Sequence, residues 1–308
     1  MYFYDSFTLI MIKSWLKAFR LRTLPLSMSG IILGSFLAKK DGFWDLQIFM
    51  FAMLTTLFFQ VLSNLANDLG DSQKGTDNEN RIGPMRSVQS GEISMHAMKT
   101  AVWIFSILSF LSAVYLIYIS SQGMTKEVVL FYGVLAVLCI LAAITYTVGK
   151  RAYGYSGFGD VFVFIFFGLV SLLGSYTLYT KQFNWKIIFP AITIGMLSTA
   201  VLNLNNMRDQ VNDKAAGKIT LVVKLGKVRA KYYHYFLILS GIVFSAFFLQ
   251  NLGMLRFLFL IPYCILTLHL NRVKNTEDEK DFDPELKKVA LTTFLIALLY
   301  AVISSLSL

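Results

Sequence analysis

The chain has 308 residues, of which 56% are hydrophobic and only 15% charged, with a mean hydropathy of +0.61. That composition excludes a soluble globular domain of any size and fits a protein that crosses a membrane many times. The formal net charge of +10 implies no nucleic acid, because no nucleic-acid motif accompanies it and basic residues at a membrane surface attract anionic lipid at about 1 kcal/mol each.

In chain order, residues 12–22 come first as an amphipathic segment, with Ile12, Trp15, Leu16 and Phe19 set against Lys13, Lys17 and Arg20. Such a segment lies on a membrane surface. It is not a signal peptide, since Asp5 and Lys13 interrupt the apolar run and no small-residue cleavage site follows. Nine apolar runs follow, at roughly 23–39, 46–66, 97–120, 128–148, 158–179, 187–206, 232–250, 254–271 and 287–306. Most reach the ~20 residues that span the hydrocarbon core; the first is short and carries Pro25. The expected fold is therefore an all-α multi-spanning membrane protein, a single transmembrane domain over 1–308. With the N-terminus inside, only Lys39, Lys40, Lys126, Lys181, Lys186 and Arg256 of the 28 basic residues fall outside. This asymmetry predicts an N-inside, C-outside arrangement in an inner membrane. Cys139 and Cys264 sit in separate apolar helices and read as packing residues, and His96, His234 and His269 show no ligand spacing.

Two acidic stretches end the second and sixth runs, both at the predicted cytoplasmic face: Ser63 to Asp71, continuing to Asp77, and Asn205 to Asp213, continuing to Lys218. Asn64 matches Asn206, Asn67 matches Asp209, Asp71 matches Asp213 and Gly75 matches Gly217, every pair at the same interval. This suggests two four-helix pseudo-repeats, 23–148 and 158–271, plus a last helix, a plan that enzymes and transporters share. Residues at i, i+3, i+4 and i+7 share a helix face. Asn64, Asn67, Asp68 and Asp71 have that spacing, as do Asn206, Asp209 and Asp213, so each helix end presents a row of oxygen ligands. Such ligands suit Mg2+, which is held by one or two carboxylates together with phosphate oxygens and water. Two acidic faces cannot hold a free diphosphate, and a divalent metal resolves that repulsion. One such stretch would be an ordinary cap or loop start; two matched ones on the same face weigh against that reading.

Arg81 and Arg86 follow the first stretch, Arg208 lies within the second and Lys218 follows it. Arginine suits forked phosphate contacts and lysine acts as a point charge. A third polar stretch, Tyr146 to Asp160, contributes Lys150 and Arg151, and the following helix repeats Phe158, Phe162 and Phe166 on one face.

These motifs resemble the UbiA superfamily of intramembrane aromatic prenyltransferases over nearly the whole chain. The resemblance is carried by Trp15 to Leu26, Asn64 to Asp71, Gly83 to Ser94, Tyr153 to Asp160, Asn205 to Asp213 and Gly217 to Leu221. The Gly83–Gly91 stretch and Asn205-Asn206-Met207-Arg208-Asp209 favour its naphthoate branch. The sequence departs from the family pattern at Leu21, where proline is usual, and at Val148 to Arg151. The resemblance implies nine helices around a central cavity, a polyprenyl diphosphate donor, an aromatic acid acceptor, membrane lipid as surroundings, and two Mg2+ ions with Mn2+ as a substitute. It implies Asn64, Asn67, Asp68, Asp71, Asp209 and Asp213 as metal ligands, and Asn64, Arg81, Arg86, Lys150, Arg208 and Lys218 as substrate contacts, with Arg22 for the acceptor carboxylate. The acceptor would be 1,4-dihydroxy-2-naphthoate, with 4-hydroxybenzoate or haem as alternatives. A secondary transporter is the competing class, and it predicts charged residues at mid-bilayer in broken helices.

Overall fold

The computed structural model describes residues 2–79, 81–250 and 253–306. Every regular element among them is helical. Helix α1 (Tyr2–Phe19) leads to α2 (Leu24–Lys40) through a single strained residue, Arg20, with φ 50° and ψ 51°. Left-handed backbone at a non-glycine residue is uncommon and is retained only where the surroundings hold it. The other spans are α3 (Leu46–Gln73), α4 (Met95–Ser120), α5 (Lys126–Thr145), α6 (Gly159–Thr180) and α7 (Ile188–Arg208). A short α8 (Gln210–Ala215) precedes α9 (Leu221–Leu249), α10 (Leu260–Asn275) and α11 (Phe282–Leu306). Nine helices among the described residues are long and apolar enough to cross a membrane, as the hydropathy pattern predicts.

Side-chain caps mark several starts. The Asp45 carboxylate accepts from the backbone of Gln47 (2.7 Å) and Ile48 (3.2 Å) at α3, and Thr220 caps α9 by accepting from Val223 N (3.3 Å). Two elements differ from expectation. Helix α9 starts near Leu221 rather than 232 and kinks at Gly226 (φ 78°). Hydropathy stops at Lys224, Lys227, Arg229 and Lys231, but charged residues do not prevent helix formation, and a short helical segment before Gly226 precedes the main helix after it. Helix α6 contains a π-helical segment, Phe164–Val170, which shifts the register of its aromatic face.

Helix α2 packs on α6 and α11, α3 on α4, and α7 on α6, α9 and α11. Spans α6 and α7 meet backbone to backbone: a Cβ added at Gly168 would lie 2.5 Å from Gly195 Cα and 2.7 Å from Ala191 O. Close approach through small residues is how helices associate where lipid is as apolar as their own side chains. The outward faces of α4 and α5, including Trp103, Phe110, Tyr118, Leu130 and Phe131, are exposed and require lipid. A cavity of about 350 Å³ is enclosed by α2 to α6, with Ile31, Phe59, Leu116, Phe162 and Phe166 among its walls and Asn64 and Asn67 also lining it.

Replacing Gly168 with leucine should cost about 1–3 kcal/mol, the usual cost of overpacking. It should therefore lower the unfolding temperature in detergent. Gly133→Ala, where a Cβ meets nothing within 4 Å, should not lower it, since alanine is the better helix former by up to ~1 kcal/mol.

Candidate active site

The first acidic stretch folds as the sequence predicts. Helix α3 is unbroken to Gln73, so Asn64, Asn67, Asp68 and Asp71 occupy successive turns of one face. The second does not. Helix α7 stops at Arg208, Asp209 forms a hinge (φ −96°, ψ 8°) and α8 starts afresh, so Asp209 and Asp213 are not on one continuous helix. They nevertheless stay close, because Asp213 N donates to Asp209 O (2.8 Å).

The two stretches converge. Lys218 Nζ lies 3.4 Å from Asp71 Oδ2 and 3.8 Å from Asp213 Oδ1. Arg81 reaches Asp77 (3.2 Å) with Nε and Asp209 (3.6 Å) with Nη2. One cation thus spans the two stretches at each of two points. Arg86 Nε stands 3.8 Å from Asp68 and 3.9 Å from Asp77, and Arg20 Nη2 stands 3.6 Å from Asp68. The third polar stretch joins them through Tyr155. Its hydroxyl donates to Asp71 Oδ1 (2.8 Å) and accepts from Thr76 (2.5 Å), while its carbonyl accepts from Ile219 N (3.2 Å).

The electrostatics follow from burial. Asp68, Asp71, Asp77, Asp209 and Asp213 are all buried, and ionised carboxylates are costly there unless paired. Arg20, Arg81, Arg86, Arg208 and Lys218 face them, and the cluster is formally balanced. Burial, assisted by the Asp71 charge, pushes the Asp77 carboxyl up to about 6. Burial likewise pushes Asp213 up to about 7, with Asp209 and Asp71 outweighing part of the relief from Lys218. Burial also raises Asp209, but its hydrogen bonds from Arg208 prevail and hold it below the usual carboxylate range. Lys218 is disfavoured by burial, yet Asp71 and Asp213 hold its ammonium well above the usual range. Burial, with Arg20 and Arg81 nearby, depresses Arg86 strongly.

Among the described residues, six of the twelve buried side-chain atoms without a hydrogen-bond partner lie in this cluster: Asp68 Oδ1, both carboxylate oxygens of Asp77, Asp213 Oδ2, Arg20 Nη2 and Arg86 Nε. Buried polar atoms are rarely left unsatisfied without a reason. Orphaned carboxylate oxygens beside orphaned guanidinium N–H groups are the donor set that a hard cation and a phosphate group would complete. Among the described residues no three His, Cys, Asp or Glu side chains form a ready-made metal cage. That agrees with a cation held partly by its phosphate ligand rather than by protein alone.

Asp68, Asp71, Asp209, Asp213, Arg81, Arg86 and Lys218 meet as expected from the sequence. Asn64 and Asn67 line the cavity, and their amides are engaged. Asn64 Nδ2 donates to Phe19 O (2.9 Å), tying α3 to the α1–α2 hinge, and Thr147 Oγ1 donates to Asn67 Oδ1 (3.3 Å). Arg208 is buried against Asp209, Asn205 and Asp283 rather than turned free toward a phosphate. Arg22 and Lys150 are exposed, and neither forms an ion pair among the described residues. Arg20, not Arg22, reaches the carboxylates, because the left-handed turn swings its side chain inward. Arg20, Asp77 and Tyr155 are functional candidates that the spacing argument passed over. Asp77 lay inside the first stretch, but only folding shows that its loop turns back. Phe162 and Phe166 face the cavity, whereas Phe158 is exposed. Cys139 also faces the cavity and Cys264 is exposed, so neither is simply a packing residue.

An acid whose pKa is higher folded than unfolded binds its proton more tightly when folded, so stability falls as pH rises between the two values. Asp77 and Asp213 are of this kind. The contribution of these two acids to the stability of the ligand-free protein in detergent should therefore be lost as pH rises from about 4 to about 7.5. Asp213→Asn should flatten part of that slope, as followed by thermal unfolding across the range.

Comparison with known proteins agrees with this geometry. Residues 27–296 match the model of the UbiA prenyltransferase family. A 1,4-dihydroxy-2-naphthoate octaprenyltransferase of Haemophilus influenzae is 40% identical over 295 residues, covering 94% of this chain and 95% of its own. The enzyme of the same name from Escherichia coli K12 is 40% identical over 292 residues, covering 94% of each. In fold, the chain is similar to a UbiA homolog from Archaeoglobus fulgidus solved with DMAPP and Mg2+. That likeness has a TM-score of 0.65 at 15% identity and covers 95% of this chain and 99% of the other. An all-helical protein with nine membrane-spanning candidates and two converging acidic helix ends, matched over nearly its whole length, belongs to the UbiA prenyltransferase family.

Proposed function

We propose that this protein transfers a polyprenyl group from an allylic polyprenyl diphosphate to 1,4-dihydroxy-2-naphthoate, with loss of CO2, to give the demethylmenaquinone skeleton. The observation that carries this reading is the convergence of both acidic stretches, bridged by Lys218 and Arg81, beside an apolar cavity. The choice of acceptor is supported by the near full-length relatives that act on the naphthoate.

The polyprenyl tail occupies the cavity enclosed by α2 to α6, where the rings of Phe162 and Phe166 suit a developing allylic cation. The diphosphate lies at its polar end, held by Arg20, Arg86 and Lys218. Asp68, Asp71, Asp77, Asp209 and Asp213, with Asn64 and Asn67 at the cavity edge, are the residues that would hold two Mg2+ ions, with Mn2+ able to replace them. When bound, Mg2+ neutralises the charge that gathers on the departing diphosphate. The allylic C–O bond breaks with its electron pair leaving on the diphosphate, an electron-rich ring carbon forms the new C–C bond, and the ring carboxylate leaves as CO2 in the net reaction. The buried cluster excludes water that would otherwise capture the cation. Balanced as it already is, the cluster gains excess negative charge from a diphosphate, so donor and metal should bind together. The excess of basic residues on the acidic-stretch side supports an inner-membrane protein whose site opens to the cytoplasm.

Membranes containing the protein, given a radiolabelled polyprenyl diphosphate and 1,4-dihydroxy-2-naphthoate, should form a labelled prenylated naphthoquinol in the lipid fraction, which air converts to the quinone on extraction. EDTA should stop the reaction and Mg2+ restore it; product from 4-hydroxybenzoate alone would overturn the acceptor. Alanine at Asp68, Asp71, Asp209 or Asp213 should abolish turnover while the protein stays folded in detergent. Activity surviving in any two of the four would defeat the metal assignment.

A further inference from the structure

We propose that Asp283, in the first turn of the last span, is a positioning residue for the acidic centre: acting through Arg208, it sets the orientation of the Asp209 carboxylate. This rests on the reading of Asp209 as part of the Mg2+–diphosphate site.

Asp209 needs an external hold. It sits in the hinge between α7 and α8, where no continuous helix fixes its direction. Arg81 Nη2 stands 3.6 Å away, and the close hold is Arg208, whose Nε donates to Asp209 Oδ1 (2.9 Å) and Nη2 to Oδ2 (2.7 Å). A guanidinium is a rigid planar fork, so fixing one edge fixes the other. Its remaining nitrogen, Nη1, donates to Asp283 Oδ1 (2.5 Å). Asp283 therefore anchors the plane that presents Asp209. The fit is close: a Cβ on Gly83 would lie 2.6 Å from Arg208 Nη2, so the loop over this fork has no room for a side chain.

A second tie aligns the same two helix ends. Glu285, two residues after Asp283, pairs with His269 (2.5 Å), which meets His234 (2.7 Å), which in turn meets Asn203 of α7 (3.2 Å). The start of α11 is thus fastened to the end of α7 at Asn203 and at Arg208. In the first acidic stretch Arg20, Arg86 and Lys218 approach the carboxylates at 3.4–3.8 Å, whereas Asp209 is gripped at 2.7–2.9 Å by its chain neighbour Arg208. The Asp283 side chain itself is 43% exposed, so it does not belong to the buried cluster and acts on it only through Arg208.

The test compares Asp283→Asn, which keeps shape and removes charge, with Asp283→Glu and Asp209→Asn. Substituting groups that orient metal ligands commonly costs 10–100-fold in metal affinity. In Asp283→Asn the Mg2+ concentration giving half the thermal shift, measured with inorganic pyrophosphate and without turnover, should rise on the order of 10-fold. The Mg2+ requirement of prenyl transfer should rise in parallel, the acceptor KM should stay unchanged, and Asp283→Glu should recover most of the loss. A lower unfolding temperature with an unchanged Mg2+ midpoint would make Asp283 merely structural and overturn the inference. If Asp209→Asn shifts the midpoint and Asp283→Asn does not, the inference fails while the functional reading stands. If Asp209→Asn also leaves it unchanged, the assignment of Asp209 falls and the inference falls with it.

Discussion

Five carboxylates buried at the ends of membrane spans are a constraint that the rest of the molecule must satisfy. Each would be costly in isolation, and the protein offsets the cost by bringing basic residues from distant segments onto them. Lys218 joins Asp71 to Asp213, Arg81 joins Asp77 to Asp209, and Arg20 and Arg86 approach Asp68. The strained backbone at Arg20, the return of the loop after α3 and the position of Tyr155 all serve that pairing.

The pairing is incomplete, and that incompleteness is informative. Several carboxylate oxygens and two guanidinium nitrogens lack hydrogen-bond partners although they are buried. A site built only for stability would close those contacts or replace them with apolar packing. Here they remain beside an apolar cavity. The acids also sit at helix ends next to structured loops and not at mid-span, which separates this arrangement from a transport pathway through the membrane.

The two acidic stretches look alike in sequence and work differently in the fold. The first is a straight helical face whose cations come from outside its own helix. The second is broken at Asp209 and relies on Arg208, which is itself held from the last span. The last span thereby touches the acidic cluster through Arg208, and the likeness of the two motifs does not extend to their side-chain contacts.

The nine spans among the described residues, the first acidic row and most of the basic residues that meet the acids were legible in the sequence. Apolar length, charge and i, i+3, i+4 spacing are local properties, and the bilayer converts them directly into helices and ends. The structure alone decided which cations pair with which acids. It turned Arg20 inward and left Arg22 outside, brought Asp77 and Tyr155 into the cluster, broke the helix at Asp209, and joined His234 to His269 across two spans. Those outcomes depend on contacts between segments far apart in the chain, and on one residue's backbone dihedral. Neither leaves a trace in local composition or periodicity.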